Sequence, residues 1–146
     1  MTQDEKAFVL RDLCARLPYR VKVKFEYVIT SPAEIIGINK FFIECEDVSA
    51  DIEDVKPYLF PLSSMTEEQK EEYYSLADDV TIKPGQGSYF GIKIHCIKLG
   101  ISDNPHEGVW DDVDLDAIDW LNKNHFDYRG LIEKGLAIDA TNLNIY

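Results

Sequence analysis

Val21-Lys22-Val23-Lys24-Phe25-Glu26-Tyr27-Val28-Ile29 places apolar side chains at every odd position and charged ones at 22, 24 and 26. Successive side chains of a strand point to opposite faces, so a period of two predicts a strand with one buried face. Downstream, Ser31-Pro32 breaks the run, and Glu34–Ile38 and Phe41–Glu46 flank Asn39-Lys40 as the arms of a β-hairpin. Three antiparallel strands then form a meander. Upstream, Thr2-Gln3-Asp4-Glu5 has the spacing of a capping box, in which Thr2 and Glu5 satisfy each other's backbone N–H groups. Leu10, Leu13, Cys14 and Leu17 recur at helical spacing, and Pro18 stops the helix.

Beyond the meander, the acidic stretch Glu44 to Asp54 leads into Val55-Lys56-Pro57-Tyr58-Leu59-Phe60-Pro61-Leu62. Two prolines there forbid a continued helix and predict an extended segment packed across the sheet. Thr66-Glu67-Glu68-Gln69 is a second capping box, opening a surface helix to about Ala77 whose apolar content is chiefly Tyr73, Tyr74 and Leu76. Val80–Lys83 and Tyr89–Leu99, joined through Pro84-Gly85-Gln86-Gly87, read as a second hairpin. Asp114 caps a last helix to about Asn124 with Leu115, Ile118 and Leu121 inward, and the tail segments Leu136-Ala137-Ile138 and Leu143-Asn144-Ile145-Tyr146 either add a short strand or lie over the core. The expected architecture is α+β, an antiparallel meander and a hairpin packed with three helices, in a single domain over residues 1–146.

Composition narrows the function. The 146 residues carry a net charge of −12, unevenly spread: residues 1–40 hold seven Lys/Arg against five Asp/Glu, so residues 41–146 carry −14. A field of that sign repels phosphates over most of the surface and argues against sequence-independent binding of DNA or RNA. It suits a partner protein with a basic surface, a cation, or simple solubility. The first residues lack a basic region followed by an apolar stretch, and no segment has the length of a bilayer span, so the expected location is the cytoplasm, with no membrane partner. Cys14, Cys45 and Cys96 are odd in number and widely spaced, which predicts buried free thiols rather than a disulfide framework or a metal site.

Asp54-Val55-Lys56-Pro57-Tyr58-Leu59-Phe60-Pro61-Leu62-Ser63-Ser64-Met65-Thr66 and Asp119-Trp120-Leu121-Asn122-Lys123-Asn124-His125-Phe126-Asp127-Tyr128-Arg129-Gly130-Leu131-Ile132 carry a resemblance. With Asp12-Leu13-Cys14-Ala15-Arg16-Leu17-Pro18-Tyr19, they resemble a family of short proteins from anaerobic gut bacteria and their phages and mobile elements. No activity is assigned to that family. The resemblance implies a mobile-element setting and transfers no catalytic residue.

Within those stretches, His125, Asp127 and Arg129 gather an imidazole, a carboxylate and a guanidinium after a helix end, the materials of acid/base work or phosphate binding. The structural reading gives His125 to the helix end, has Asp127 either start the next turn or pair with Arg129, and sends the aromatics to the core. It is favoured because no nucleophile or orienting third group stands nearby in sequence. Asp112, Asp114 and Asp116 alternate like the first ligands of a calcium loop, but Ala117 and Lys123 occupy the positions that need Gly and Glu. Helix capping accounts for Asp114 and Asp116 without a metal, and Asp103, His106 and Glu107 complete only an adventitious ion site. His95 and Cys96 point to opposite faces of a strand, and Pro84-Gly85-Gln86-Gly87-Ser88 lacks the helix that a phosphate loop needs. Arg11, Arg16, Arg20, Lys22 and Lys24, interleaved with Tyr19, Phe25 and Tyr27, read as a solvated face above buried aromatics.

No cofactor or metal is implied. The expected function is that of a non-catalytic acidic protein-interaction factor of a phage or mobile element, with nucleic-acid-mimicking inhibition as one form of it. Asp111, Asp112, Asp114 and Asp116 are its expected contact with a basic partner. The alternative is a small hydrolase or nucleotide-processing enzyme using His125, Asp127 and Arg129.

Overall fold

The computed structural model describes residues 1–27, 32–39, 42–77 and 115–146. The expected second hairpin, the loop after it, and Asp103, His106, Glu107, Asp111, Asp112 and Asp114 lie outside them. The fold is α+β, and it gathers into two compact units, Met1–Leu59 with Leu131–Tyr146, and Phe60–Gly130.

In the first unit, α1 (Gln3–Arg16) starts at the expected capping box: the Thr2 hydroxyl accepts from the Glu5 N–H at 3.2 Å, and the Glu5 carboxylate accepts from the Thr2 N–H at 2.6 Å. Those bonds hold the Glu5 carboxyl below its ordinary value. The buried face is Val9, Asp12, Leu13 and Arg16, whereas Leu10 and Cys14 are exposed. The helix is therefore turned from the expected stripe, and it carries a charged pair inward. Arg16 Nε and Nη2 donate to the two Asp12 carboxylate oxygens at 2.8 and 3.0 Å, and both side chains are 0% exposed. Charge so deeply buried is tolerated only when it is paired, and the four-residue spacing on one helix face provides the pairing.

A single turn of 3-10 helix, Leu17–Tyr19, follows, and Arg20 in a left-handed conformation (φ 59°) turns the chain into the sheet. The strands β1 (Lys22–Phe25), β2 (Ala33–Ile38), β3 (Ile43–Cys45) and β4 (Ser49–Ala50) form an antiparallel meander. Its first three strands are those that the alternation and the hairpin predict. The turn between β2 and β3 is closed by Asn39, whose N–H donates to the Phe42 carbonyl while its side-chain oxygen accepts from the Phe42 N–H, both at 3.0 Å. Strand β1 stops at Phe25, short of the full alternating run, and Tyr27 is 81% exposed.

The segment expected to cross the sheet is instead a strand within it. β5 (Val55–Pro61) pairs antiparallel with β1 through Val55, Lys56 and Pro57. The Glu26 N–H donates to the Asp54 carbonyl, so the hydrogen-bonded positions of this ladder are 26 with 54 and, two residues on, 24 with 56. Pro57, opposite Val23, falls at a non-bonded position where β1 needs no donor. Farther along, Tyr58 and Leu59 pair parallel with the short terminal strand β7 (Ile138–Asp139). Val9, Leu13, Val21, Val23, Phe25, Ile35, Ile43, Val55, Leu59, Leu131 and Leu136 share one apolar core. The last residue ties in beside it: the Tyr146 hydroxyl accepts from the Lys22 N–H at 3.1 Å and donates to the Tyr58 carbonyl at 2.9 Å.

In the second unit, α2 (Glu67–Leu76) begins at its expected capping box, with Thr66–Gln69 bonds of 3.2 and 2.9 Å. It buries Tyr73 and Tyr74, so this surface helix is anchored by aromatics. Helix α3 (Leu115–Lys123) buries Ala117, Trp120 and Leu121, while Leu115, expected inward, is exposed. The Trp120 indole stacks on Phe126 with centroids 5.6 Å apart and meets the edge of Tyr73 at 5.9 Å. Large aromatic rings thus fill this smaller core. Strand β6 (Phe126–Asp127) pairs parallel with Phe60 and Pro61 at the end of β5. No helix among the described residues is long and apolar enough to cross a membrane.

Candidate interaction site

The His125-to-Arg129 segment is built into the second unit's core. Helix α3 ends as the Asn124 N–H and side-chain amide both donate to the Trp120 carbonyl, at 3.0 and 2.9 Å. His125 then takes a left-handed backbone (φ 57°), its N–H donating to the Asn122 carbonyl at 3.1 Å and its own carbonyl accepting from the Phe60 N–H at 2.9 Å. That conformation is the usual way to end a helix, and here a histidine adopts it. His125 and Asp127 are buried, and the Arg129 guanidinium lies 5.0 Å over the Tyr128 ring, whose hydroxyl donates to the Asn122 side chain at 2.8 Å. Of the expected acidic contact, Asp116 is exposed in the first turn of α3, where the helix dipole favours a carboxylate.

The described surface offers a different concavity, in the first unit. A hollow of about 270 Å³ opens at the end of β1, with buried Phe25 as its floor and Tyr27 and Phe42 as aromatic walls. Residues 48–51 and Asp54 complete it. Local structure explains each position. Because β1 ends at Phe25, Tyr27 escapes the sheet and stays in solvent. Phe42 leaves the turn before β3 and is 46% exposed. Asp51 precedes the 3-10 turn Ile52–Asp54 with an extended backbone (φ −66°, ψ 150°) at the capping position, yet its carboxylate makes no capping bond to the turn. Asp54 is held beside β1 by the bond from the Glu26 N–H to its carbonyl.

The three acids of this turn divide between two tasks. Glu53 reaches α1, where Lys6 at 2.5 Å holds its carboxyl below the ordinary value by hydrogen bonding and charge. Asp51 and Asp54 make no ion pair among the described residues, and both line the hollow. Beside the neighbouring strands Arg20, in the turn before β1, pairs with Glu34 at 2.9 Å, a hydrogen bond that lowers the Glu34 carboxyl, and the side chain of Asn39, in the turn after β2, bonds Glu44. Among the described residues, no three His, Cys, Asp or Glu side chains gather as metal ligands.

Sequence reasoning passed over this hollow, reading Tyr27 as a buried member of the alternation and residues 44–54 as an acidic connection. The only signal was the coincidence of acids with aromatics flanking the meander. No protein-family model matches the chain, and neither the curated proteins nor the solved structures contain a match to it.

Proposed function

We propose that this chain is a non-catalytic protein-interaction factor that works in the cytoplasm and engages a partner protein through a basic surface on that partner. The observation that carries the reading is the state of its acids. Glu46, Asp47 and Asp51 in the first unit, and Glu68, Glu71 and Glu72 along α2, are exposed and lie outside the ion pairs of the described residues. Carboxylates without local cations project a negative field into solvent, which steers a basic partner and raises its rate of encounter. Nucleic-acid-binding proteins present such basic surfaces, so mimicry of a nucleic acid is the form of inhibition this field suits. The resemblance of three stretches to proteins of phages and mobile elements supports that setting.

The test is co-purification of the tagged chain from its host at low and high salt. Parallel samples reverse the charge of Glu68, Glu71 and Glu72, or of Asp111, Asp112, Asp114 and Asp116. A basic partner that is released near about 0.5 M salt, where screening leaves only short-range attraction, and lost on charge reversal, is the expected result. Binding indifferent to both treatments, or no partner, would refute the reading.

A further inference from the structure

We propose that the hollow at the end of β1 receives one arginine side chain of the partner protein. The inference rests on the reading of the chain as an acidic interaction factor and adds what the contact recognises. Size sets the first limit: about 270 Å³ holds several waters at roughly 30 Å³ each, yet falls just below the roughly 300–1,000 Å³ of pockets that enclose a whole small ligand. A single long side chain fits that scale.

Chemistry selects which one. Tyr27 and Phe42 present aromatic surface to solvent, and Phe25, Val48 and Ala50 supply apolar surface between them. Against this stand two carboxylates, Asp51 and Asp54, with no cation of their own among the described residues. Asp51 is the more telling, because a residue at a capping position ordinarily spends its carboxylate on the turn, and here it does not. Guanidinium meets all three demands. It is planar and weakly hydrated, stacks on aromatic faces, and forks onto carboxylates, while its methylene stem covers apolar surface. A lysine ammonium satisfies the charge but must shed a tightly held hydration shell against an apolar floor.

The experiment is a titration of the isotope-labelled full chain with acetyl-Gly-Arg-Gly-amide, and with the matching lysine and citrulline peptides, followed by amide chemical shifts. Arginine peptide is expected to shift residues 25–27 and 48–54 with a dissociation constant on the order of millimolar, the scale of about 4 kcal/mol. Lysine peptide should bind at least about fivefold more weakly, since it loses the stacking and the forked contact. Citrulline, which keeps the shape without the charge, should leave the spectrum unmoved. D51N/D54N should weaken the arginine peptide about tenfold, matching the loss of one charge-assisted contact, and Y27A should act in the same direction. Spectra unchanged away from the hollow show that both variants are folded. Equal binding of arginine and lysine peptides, shifts outside the hollow, or no shift with any peptide would each overturn the proposal. All three results leave the general acidic reading standing, because that reading fails on other grounds: a native partner indifferent to salt and charge reversal, or no partner at all.

Discussion

Replacing Arg16 with Met removes the cation that faces both oxygens of Asp12 inside the first unit. Because both side chains are 0% exposed and joined by bonds of 2.8 and 3.0 Å, the Asp12 carboxylate stays in a medium that solvates it poorly. The expected cost is about 3–5 kcal/mol, the range for breaking a buried pair from one side. A fold of this size is stable by about 5–15 kcal/mol, so the loss takes about a fifth of the total or more. In urea, with a slope of about 2 kcal/mol per molar, the midpoint should fall by on the order of 2 M. Asp12→Leu should act in the same direction, taking both carboxylate oxygens away from the buried guanidinium. The double variant Asp12→Leu/Arg16→Met should recover most of the loss, since apolar replacement of a buried pair is often neutral or stabilising. Unfolding followed by far-ultraviolet circular dichroism gives all three values. Single variants within about 0.5 kcal/mol of the native chain, the behaviour of an exposed pair, would refute the reasoning, as would a double variant as damaged as the two singles combined.

Burial pushes the Tyr146 phenol up to about 12 from its usual 10. The folded chain therefore keeps a proton that the unfolded chain releases, and the stability this contributes is complete below pH 10 and lost as pH climbs through 12. Tyr146→Phe should flatten that part of a pH–stability profile and cost about 1 kcal/mol at neutral pH for the bonds to Lys22 and Tyr58. Cys14 is exposed, whereas burial raises the Cys45 thiol to about 11; with iodoacetamide at pH 8, peptide mapping should find Cys14 alkylated well before Cys45, and equal rates for these two would contradict the packing. Thr66→Ala removes the cap of α2 and should lower stability by about 1 kcal/mol in thermal unfolding.

What the sequence could disclose depended on how local the physics was. Both capping boxes were legible because they are four-residue patterns whose bonds close on themselves, and the hairpin 33–45 was legible from alternation around an Asn turn. The expected stripe of Leu10, Leu13, Cys14 and Leu17 misses the true face of α1 because it counts apolar residues alone and leaves Arg16 on a solvated face. A pair four residues apart can neutralise itself and go inward, which shifts the buried stripe toward Val9 and away from Leu10 and Cys14. Pro57 and Pro61 exclude a helix and predict an extended segment across the sheet, yet only the register with β1 reveals that the segment is a strand within it and that Pro57 sits where no donor is required. Tyr27 continued the alternation perfectly, and its exposure follows from where β1 stops, a boundary that composition does not mark. His125 is read from sequence as belonging to the helix end, but the left-handed backbone it adopts there (φ 57°) is not marked by residue type. The hollow was illegible for a related reason: Phe25, Phe42 and Asp54 come from three separate segments, and only pairing brings them together.

The connectivity of the two units sets an order for synthesis. Residues 1–59 emerge first and carry α1 and β1–β4 together with most of β5, but Tyr58 and Leu59 must wait for their parallel neighbour at Ile138 and Asp139, which lies beyond the whole of Phe60–Gly130. A chain growing from its N-terminus therefore holds an unfilled strand edge while the intervening unit is made, and such edges invite pairing with other chains. Closing that long loop carries an entropic cost that grows with its length, and folding of the intervening unit shortens the effective loop. The whole of Phe60–Gly130 is thus synthesised before the strand that completes the first unit exists.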